Sequence, residues 1–265
     1  MKIEQAKQIA SNAIEELSHA LEAGHSEKLR EYLGAMARFH RYSLHNIMLI
    51  ATQRPDATHV AGFNTWKRLG RFVKKGAKGI MILAPVVLQK ESERTEDAAK
   101  QDNAIRFRAV YVFDMADTDG KPVPQLGSTE GDPADRIKRL QEFVSSRSIQ
   151  LEYSEAIHPA QGQCSPGKIT ILPGQSAAEE FATLVHETAH ALMHQGQQRI
   201  ETSKRVRETE AEAVAFVVCS AMGLLASSSV DYIHLYDGNE ETLAASLGRI
   251  QHTSAEILTA ISSTD

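Results

Sequence analysis

The chain has 265 residues, 42% of them hydrophobic and 24% charged, proportions that exclude a disordered or collagen-like polymer and leave room for one large domain or two ordinary ones. The net charge of −5 is unevenly spread: residues 1–131 carry a balance of +3 and residues 132–265 one of −8, which predicts two modules with different partners. No apolar run reaches the ~20 residues of a spanning helix. The N-terminus lacks a basic-then-apolar leader, and Cys164 and Cys219 make neither a disulfide framework nor a CxxC pair. The expected setting is the reduced cytoplasm, with no membrane partner.

Ile3, Ile9, Ala13, Ile14, Leu17 and Leu21 recur at helical spacing up to Gly24. A second helix is predicted from Glu27 to about His40, and a third after Ser43 that must stop before Arg54-Pro55, because the residue preceding proline disfavours the α region. The pattern then turns to short strands. Thr58–Ala61 is one, and a turn or two follows around Trp66, closed by Gly70. Arg71–Val73, the glycine-containing turn Lys74–Gly79 and the run Ile80–Leu88 predict a hairpin. Residues 89–103 read as a loop, and Ile105, Phe107, Ala109, Tyr111 and Phe113 alternate as a strand does. The Pro-, Gly- and Ser-rich segment 121–131 reads as a linker. Beyond it, Asp132-Pro133 opens a helix with apolar positions Ile137, Leu140, Phe143 and Val144. Strands at 149–153 and 168–172 precede a helix opened by a Ser176/Glu179 capping box and running to about Gln195. Further helices are predicted over 204–222 and 241–261. The fold class expected is α+β: N-terminal helices with a small antiparallel sheet over 1–128, then a second domain over 129–265.

The chemistry concentrates in that second domain. His186-Glu187-Thr188-Ala189-His190 is an HExxH motif inside the capped helix. Residues four apart share a helical face, so His186 and His190 can bind one zinc ion, or another divalent transition metal, through neutral imidazoles. Glu187 projects beside the open coordination position as the catalytic base that takes a proton from water. A third ligand is needed. Met193 and Gly196 stand where the long metzincin motif requires Gly and His, so that form is excluded, and His194 lies ~12 Å along the helix from His186; it reads as a partly exposed helix-end residue. Glu208, Glu210 and Glu212 on the next helix are the candidates. Glu210 shares the stripe of Val206, Val214, Val217 and Ala221, and a carboxylate facing inward is costly unless paired or bound to a cation. Glu210 is therefore favoured over Glu208. Glu208 and Glu212 fall together on another face, as partners that orient a histidine or as solvated charge. The strand 168–172 is expected to offer an edge for an extended peptide. Tyr232 and His234 read as structural, and Cys219 as core.

Between Arg38 and Lys78 nine basic residues face the single acid Asp56, a local balance of +8. They are Arg38, Arg41, Arg54, Lys67, Arg68, Arg71, Lys74, Lys75 and Lys78, with Tyr42, Phe63, Trp66 and Phe72 interleaved. Charge that tracks phosphates and rings that stack on unpaired bases are what single-stranded DNA binding requires. A lysine-rich turn can equally be solvated surface, and aromatics at this spacing can equally be core.

Phe39-His40-Arg41-Tyr42-Ser43, Asn46, Gln53-Arg54-Pro55-Asp56-Ala57-Thr58, Gly62-Phe63, Trp66-Lys67, Leu69-Gly70 and Lys74-Lys75-Gly76 through Pro85 resemble the N-terminal domain of ArdC-type antirestriction proteins. Val112-Phe113-Asp114 and Thr118-Asp119-Gly120 continue that resemblance. His186–His190 and Glu208–Phe216 resemble the attached zincin-like metallopeptidase domain. The resemblance implies a single-stranded-DNA-binding first domain, to which Arg38, Arg41, Tyr42, Asn46, Trp66, Lys67, Arg68, Arg71, Lys74, Lys75 and Lys78 are assigned. It also implies a second domain of zincin fold, acting on a host protein or peptide, in a protein of plasmids that protects incoming DNA from restriction. Two other readings stand beside it: a DNA-binding protein with a catalytically silent metal site, and a regulatory metalloprotease.

Overall fold

The computed structural model describes residues 2–86, 106–122, 133–196, 199–200, 202–224 and 239–262. The fold is α+β, with eight α-helices and eight strands among those residues. The chain divides into two compact units that do not follow one another in sequence: residues 1–13 with 48–122, and residues 14–47 with 123–265. The N-terminal helices expected within a domain 1–128 are therefore shared between the units. Among the described residues no helix is long and apolar enough to cross a membrane.

In the first unit, β1 (Val60–Gly62), β3 (Ile80–Pro85) and β4 (Phe107–Asp114) form an antiparallel sheet in the order β1-β4-β3. The hairpin expected from Arg71–Val73 into the Ile80 run does not form. β2 (Arg71–Val73) pairs instead with β5 (Thr118–Gly120), and β3 pairs with β4. Two features account for this. The Arg71 guanidinium donates to the Thr118 hydroxyl at 2.7 Å, the Thr118 carbonyl at 2.7 Å and the Lys121 carbonyl at 2.6 Å. Gly120, at φ +138°, also lets β5 approach so closely that a Cβ there would sit 2.3 Å from the Gly70 carbonyl oxygen.

The helix α3 (Leu44–Gln53) ends on a side chain that acts as a strand neighbour: Gln53 Nε2 donates to the Met81 carbonyl at 2.8 Å and its Oε1 accepts from the Met81 N–H at 3.0 Å. Arg54 pairs with Asp117, and the Asp114 carboxylate accepts from the backbone N–H groups of Thr58, His59 and Ala116. These polar positions are scaffold. Each satisfies a backbone or charged group that burial would otherwise strand.

The second unit is mostly helical. The helix α2 (Glu27–Arg38) buries Leu29, Leu33 and Met36 and packs on α7 (Lys204–Ala221). The helix α6 (Ala177–Met193) lies against α7 and against α5 (Pro133–Ser146), and α8 (Glu240–Ser262) packs on α5 and α7. The capping box is present: Ser176 Oγ accepts from the Glu179 N–H, and the Glu179 carboxylate accepts from the Ser176 N–H at 3.0 Å. A three-stranded sheet completes the unit, with β6 (Gln150–Tyr153), β7 (Gly162–Ser165) and β8 (Lys168–Ile171) in the order β6-β8-β7. The strand β8, expected to offer a free edge, is central: it runs parallel to β6 and antiparallel to β7. The edge beside α6 is β7, which falls between the two strands expected at 149–153 and 168–172.

Candidate functional site

Burial of Phe181, Leu184, Val185 and Ala189 fixes the rotation of α6, and with it the direction of His186 and His190. The two Nε2 atoms lie 3.1 Å apart. Glu208 Oε2, arriving from α7, is 3.4 Å from His190 Nε2 and 3.6 Å from His186 Nε2. With bonds of ~2.0–2.1 Å, donors on one face of a tetrahedron are about 3.3 Å apart, so these three are spaced as a shared cation requires. Two imidazoles and one carboxylate are also the right donor chemistry for such an ion.

Glu210, the third ligand favoured on sequence, is not in this cluster. Its inward position is as expected: it is fully buried, at 0% exposure. The cation that compensates it, however, is the Arg249 guanidinium from α8, which pairs with Oε1, while His194 Nε2 lies 2.8 Å from Oε2. Burial pulls the Glu210 pKa up, but His194, Ser246 and Arg249 outweigh it and hold the carboxylate below its ordinary value. His194 is likewise not a partly exposed helix-end residue. It is buried, and burial lowers its pKa against the pull of Glu210.

Glu208 is about half exposed, and its pKa is held well below the usual carboxylate range by His186 and His190. For His186, burial acts downward, but Glu208 and Glu212 prevail and raise the ring to about 9. Glu212 Oε2 is 3.4 Å from His186 Nδ1, on the far side of the ring from the cluster.

Glu187 is 7% exposed, and burial raises its pKa. The strand β7 passes directly over it: a Cβ at Gly162 would lie 2.7 Å from Glu187 Cγ and Oε1 and from Thr183 Cγ2. Only glycine allows that approach. The Cys164 thiol is pushed up to about 11 by burial and by Glu187, and Cys219 is core, as expected, with its thiol raised to about 12. Tyr232 and His234 lie outside the described residues.

The residues assigned to DNA divide between the units. In the first, Lys67, Arg68, Lys74, Lys75 and Lys78 are exposed. Trp66 is not available for stacking: it is 2% exposed, with its indole N–H donating to the Phe113 carbonyl at 2.9 Å. Arg71 is spent on the β2–β5 junction described above. The exposed rings are Phe63 and Phe72, at 54% and 60%, together with Phe107 and Tyr111. Phe107 and Tyr111 were missed, although the alternation of β4 puts both on one face. In the second unit, Arg38 is exposed beside the Phe39 ring and Asn46 is buried. Arg41 and Tyr42 line a cavity of about 490 Å³ with His40, Ser43, Gln251 and Leu258, and Gln251 Nε2 donates to the Tyr42 carbonyl at 3.0 Å.

Against known proteins, residues 5–113 match the family described as the N-terminal domain of anti-restriction factor ArdC. The uncharacterized protein pXO2-81 of Bacillus anthracis is 23% identical over 89% of this chain, which spans about half (48%) of that relative's length. Two crystal structures of antirestriction ArdC from plasmid R388 share the fold. The metal-free one superposes with a TM-score of 0.58 at 18% identity, covering 96% of this chain and 97% of that one. The Mn(II)-bound one does so with 0.55 at 19%, covering 97% and 98%.

Proposed function

We propose that the chain is an antirestriction protein of the ArdC type: residues 5–113 match the model of that family's N-terminal domain, and the fold of R388 ArdC extends over nearly its whole length. In this reading it binds single-stranded DNA through its first unit and hydrolyses peptide bonds at His186, Glu187, His190 and Glu208. The observation that carries the second activity is the spacing of the three donor atoms beside a buried carboxylate. The Mn(II) in the R388 relative supports a divalent cation at this cluster, and two imidazoles with one carboxylate suit Zn(II) equally. Such an ion supplies Lewis acidity toward a peptide carbonyl.

The chain's own residues do the rest. His186 and His190 present Nε2 lone pairs, Glu208 brings the neutralising charge, and Glu212 holds His186 from behind. Glu187 accepts the proton released as water attacks and passes it to the leaving amine, and its raised pKa suits a group that must hold a proton and give it up. An extended substrate adds to β7, the edge strand lying over Glu187, and not to β8. In the first unit, Lys67, Arg68, Lys74, Lys75 and Lys78 supply charge, and Phe63, Phe72, Phe107 and Tyr111 supply stacking faces.

The test uses the full chain loaded with Zn(II) or Mn(II). Cleavage of denatured casein should fall about 10²–10⁴-fold in Glu187→Gln, while fluorescence anisotropy shows unchanged, salt-sensitive binding of a single-stranded oligonucleotide in preference to a duplex. Loss of restriction escape in the same variant would tie hydrolysis to protection. Full protection by the variant would instead leave DNA binding as the protective act.

A further inference from the structure

His190 has two ring nitrogens, and the fold engages both. Nε2 faces His186 and Glu208, while Nδ1 lies 3.0 Å from Nδ1 of His194, one helical turn further along α6. His194 Nε2 in turn lies 2.8 Å from Glu210 Oε2, and Glu210 Oε1 takes an N–H of Arg249, whose Nη2 also donates to the Ser246 hydroxyl at 2.9 Å. The two middle members, His194 and Glu210, are 2% and 0% exposed. The chain runs from α6 through α7 to α8, within one compact unit.

We propose that His194, Glu210 and Arg249 form a buried hydrogen-bond relay that fixes the tautomer and orientation of His190, and thereby the cation affinity of the His186, His190 and Glu208 cluster. The inference rests on the reading of that cluster as a cation site. It follows from donor and acceptor chemistry. A guanidinium only donates and an ionised carboxylate only accepts, so Glu210 between Arg249 and His194 is an acceptor on both oxygens. A neutral His194 must then carry its hydrogen on Nε2 and donate it to Glu210, which leaves Nδ1 as an acceptor. Among the described residues, the donor aimed at that nitrogen is His190 Nδ1–H. With its hydrogen there, His190 has its free lone pair on Nε2, the atom facing His186 and Glu208. The polarity of the whole chain is set at the arginine end and delivered at the other. His186 is held in the same sense by a single step, from Nδ1 to Glu212. A histidine ligand oriented by a partner on its other nitrogen binds its cation about 10–100-fold more tightly than one left loose.

His194, Glu210 and Arg249 are therefore positioning residues, and their test needs a readout that simple packing would not move. In the full chain labelled with 15N-histidine, two-bond 15N–1H correlations report each ring tautomer without any cation. His190 in the unmodified protein should carry its hydrogen on Nδ1, and an Nε2–H tautomer would overturn the proposal. Isothermal titration with Mn(II) and the visible absorption of the Co(II)-loaded protein complete the experiment. His194→Leu should weaken Mn(II) binding about 10–100-fold and shift the Co(II) bands. His194→Gln should retain Mn(II) affinity within about three-fold, because the Gln carbonyl can accept from His190 while its amide donates to Glu210. A His194→Leu protein that binds Mn(II) like the parent, with an unchanged Co(II) spectrum, would refute the relay. Should His194→Leu fail to fold, the tautomer of the unmodified protein still decides. If the parent chain takes up no Mn(II), the cation reading fails, and the tautomer measurement judges the relay separately.

Discussion

The two units keep their functional groups in opposite conditions. In the first, the basic side chains and rings proposed to bind DNA are exposed, while the buried Trp66 and Asp114, like the Gln53 side chain bonded to Met81, serve the scaffold. In the second, the groups that matter are drawn inward and bonded to one another: Glu187 under β7, Glu210 between His194 and Arg249, His190 between Glu208 and His194. A polymeric, sequence-tolerant ligand can be held by many weak exposed contacts, whereas a reaction centre needs a few groups fixed in place. Removing a group should therefore cost binding in one unit, and stability and cation affinity in different proportions in the other.

The sharpest division falls within one helix, between Glu208 and Glu210. Glu208→Gln should lose more than the about 10–100-fold in Mn(II) affinity that an orienting partner is worth, with no fall in melting temperature. Glu210→Gln should cost ~3–5 kcal/mol of stability, because it leaves the Arg249 charge without its buried partner, and should weaken Mn(II) binding by no more than the about 10–100-fold that an orienting relay is worth. Chemical denaturation and Mn(II) titration of both variants would break the comparison if the two effects were exchanged. In the first unit, Trp66→Ala should destabilise by ~3–5 kcal/mol, whereas Phe72→Ala should leave stability alone and weaken single-stranded DNA binding by ~1–3 kcal/mol. Replacing Lys74, Lys75 and Lys78 together by alanine should flatten the salt dependence of that binding by about 2 in log–log slope, read by anisotropy across a salt series. The smallest expected effect is Ser176→Ala, which removes one half of the capping box: ~1 kcal/mol of stability and no change in Mn(II) affinity.

The HExxH pair was legible because a helix fixes the geometry of residues four apart, and the cap fixed the helix. The inward direction of Glu210 was legible too, from the valines that share its stripe. What sequence could not supply was the identity of its counter-charge, since Arg249 arrives from another helix far along the chain. A buried carboxylate needs a cation, and pattern alone does not distinguish a guanidinium from a metal ion. The hairpin expected from Arg71–Val73 into the Ile80 run failed for a related reason: the turn Lys74–Gly79 looks like a local reversal, but the hydrogen-bond partners of Arg71 sit at Thr118 and Lys121. The indole of Trp66 was misread because ring spacing alone cannot say which side of α4 (Phe63–Arg68) faces the core. Short-range rules carried the elements, and long-range pairing decided what the side chains do.

The division of the chain has a consequence for its synthesis. The helix α2 belongs to the second unit and packs on α7, yet it emerges from the ribosome before the whole sheet of the first unit and before the HExxH helix itself. Its apolar side chains Leu29, Leu33 and Met36 have no α7 to cover them until late in translation, whereas the strands β1 to β5 can close among themselves as soon as Gly120 has cleared the tunnel. The nascent chain thus finishes the sheets of its first unit while one piece of the later unit waits unburied. A ribosome stalled just past the first unit would display that waiting helix to chaperones and proteases.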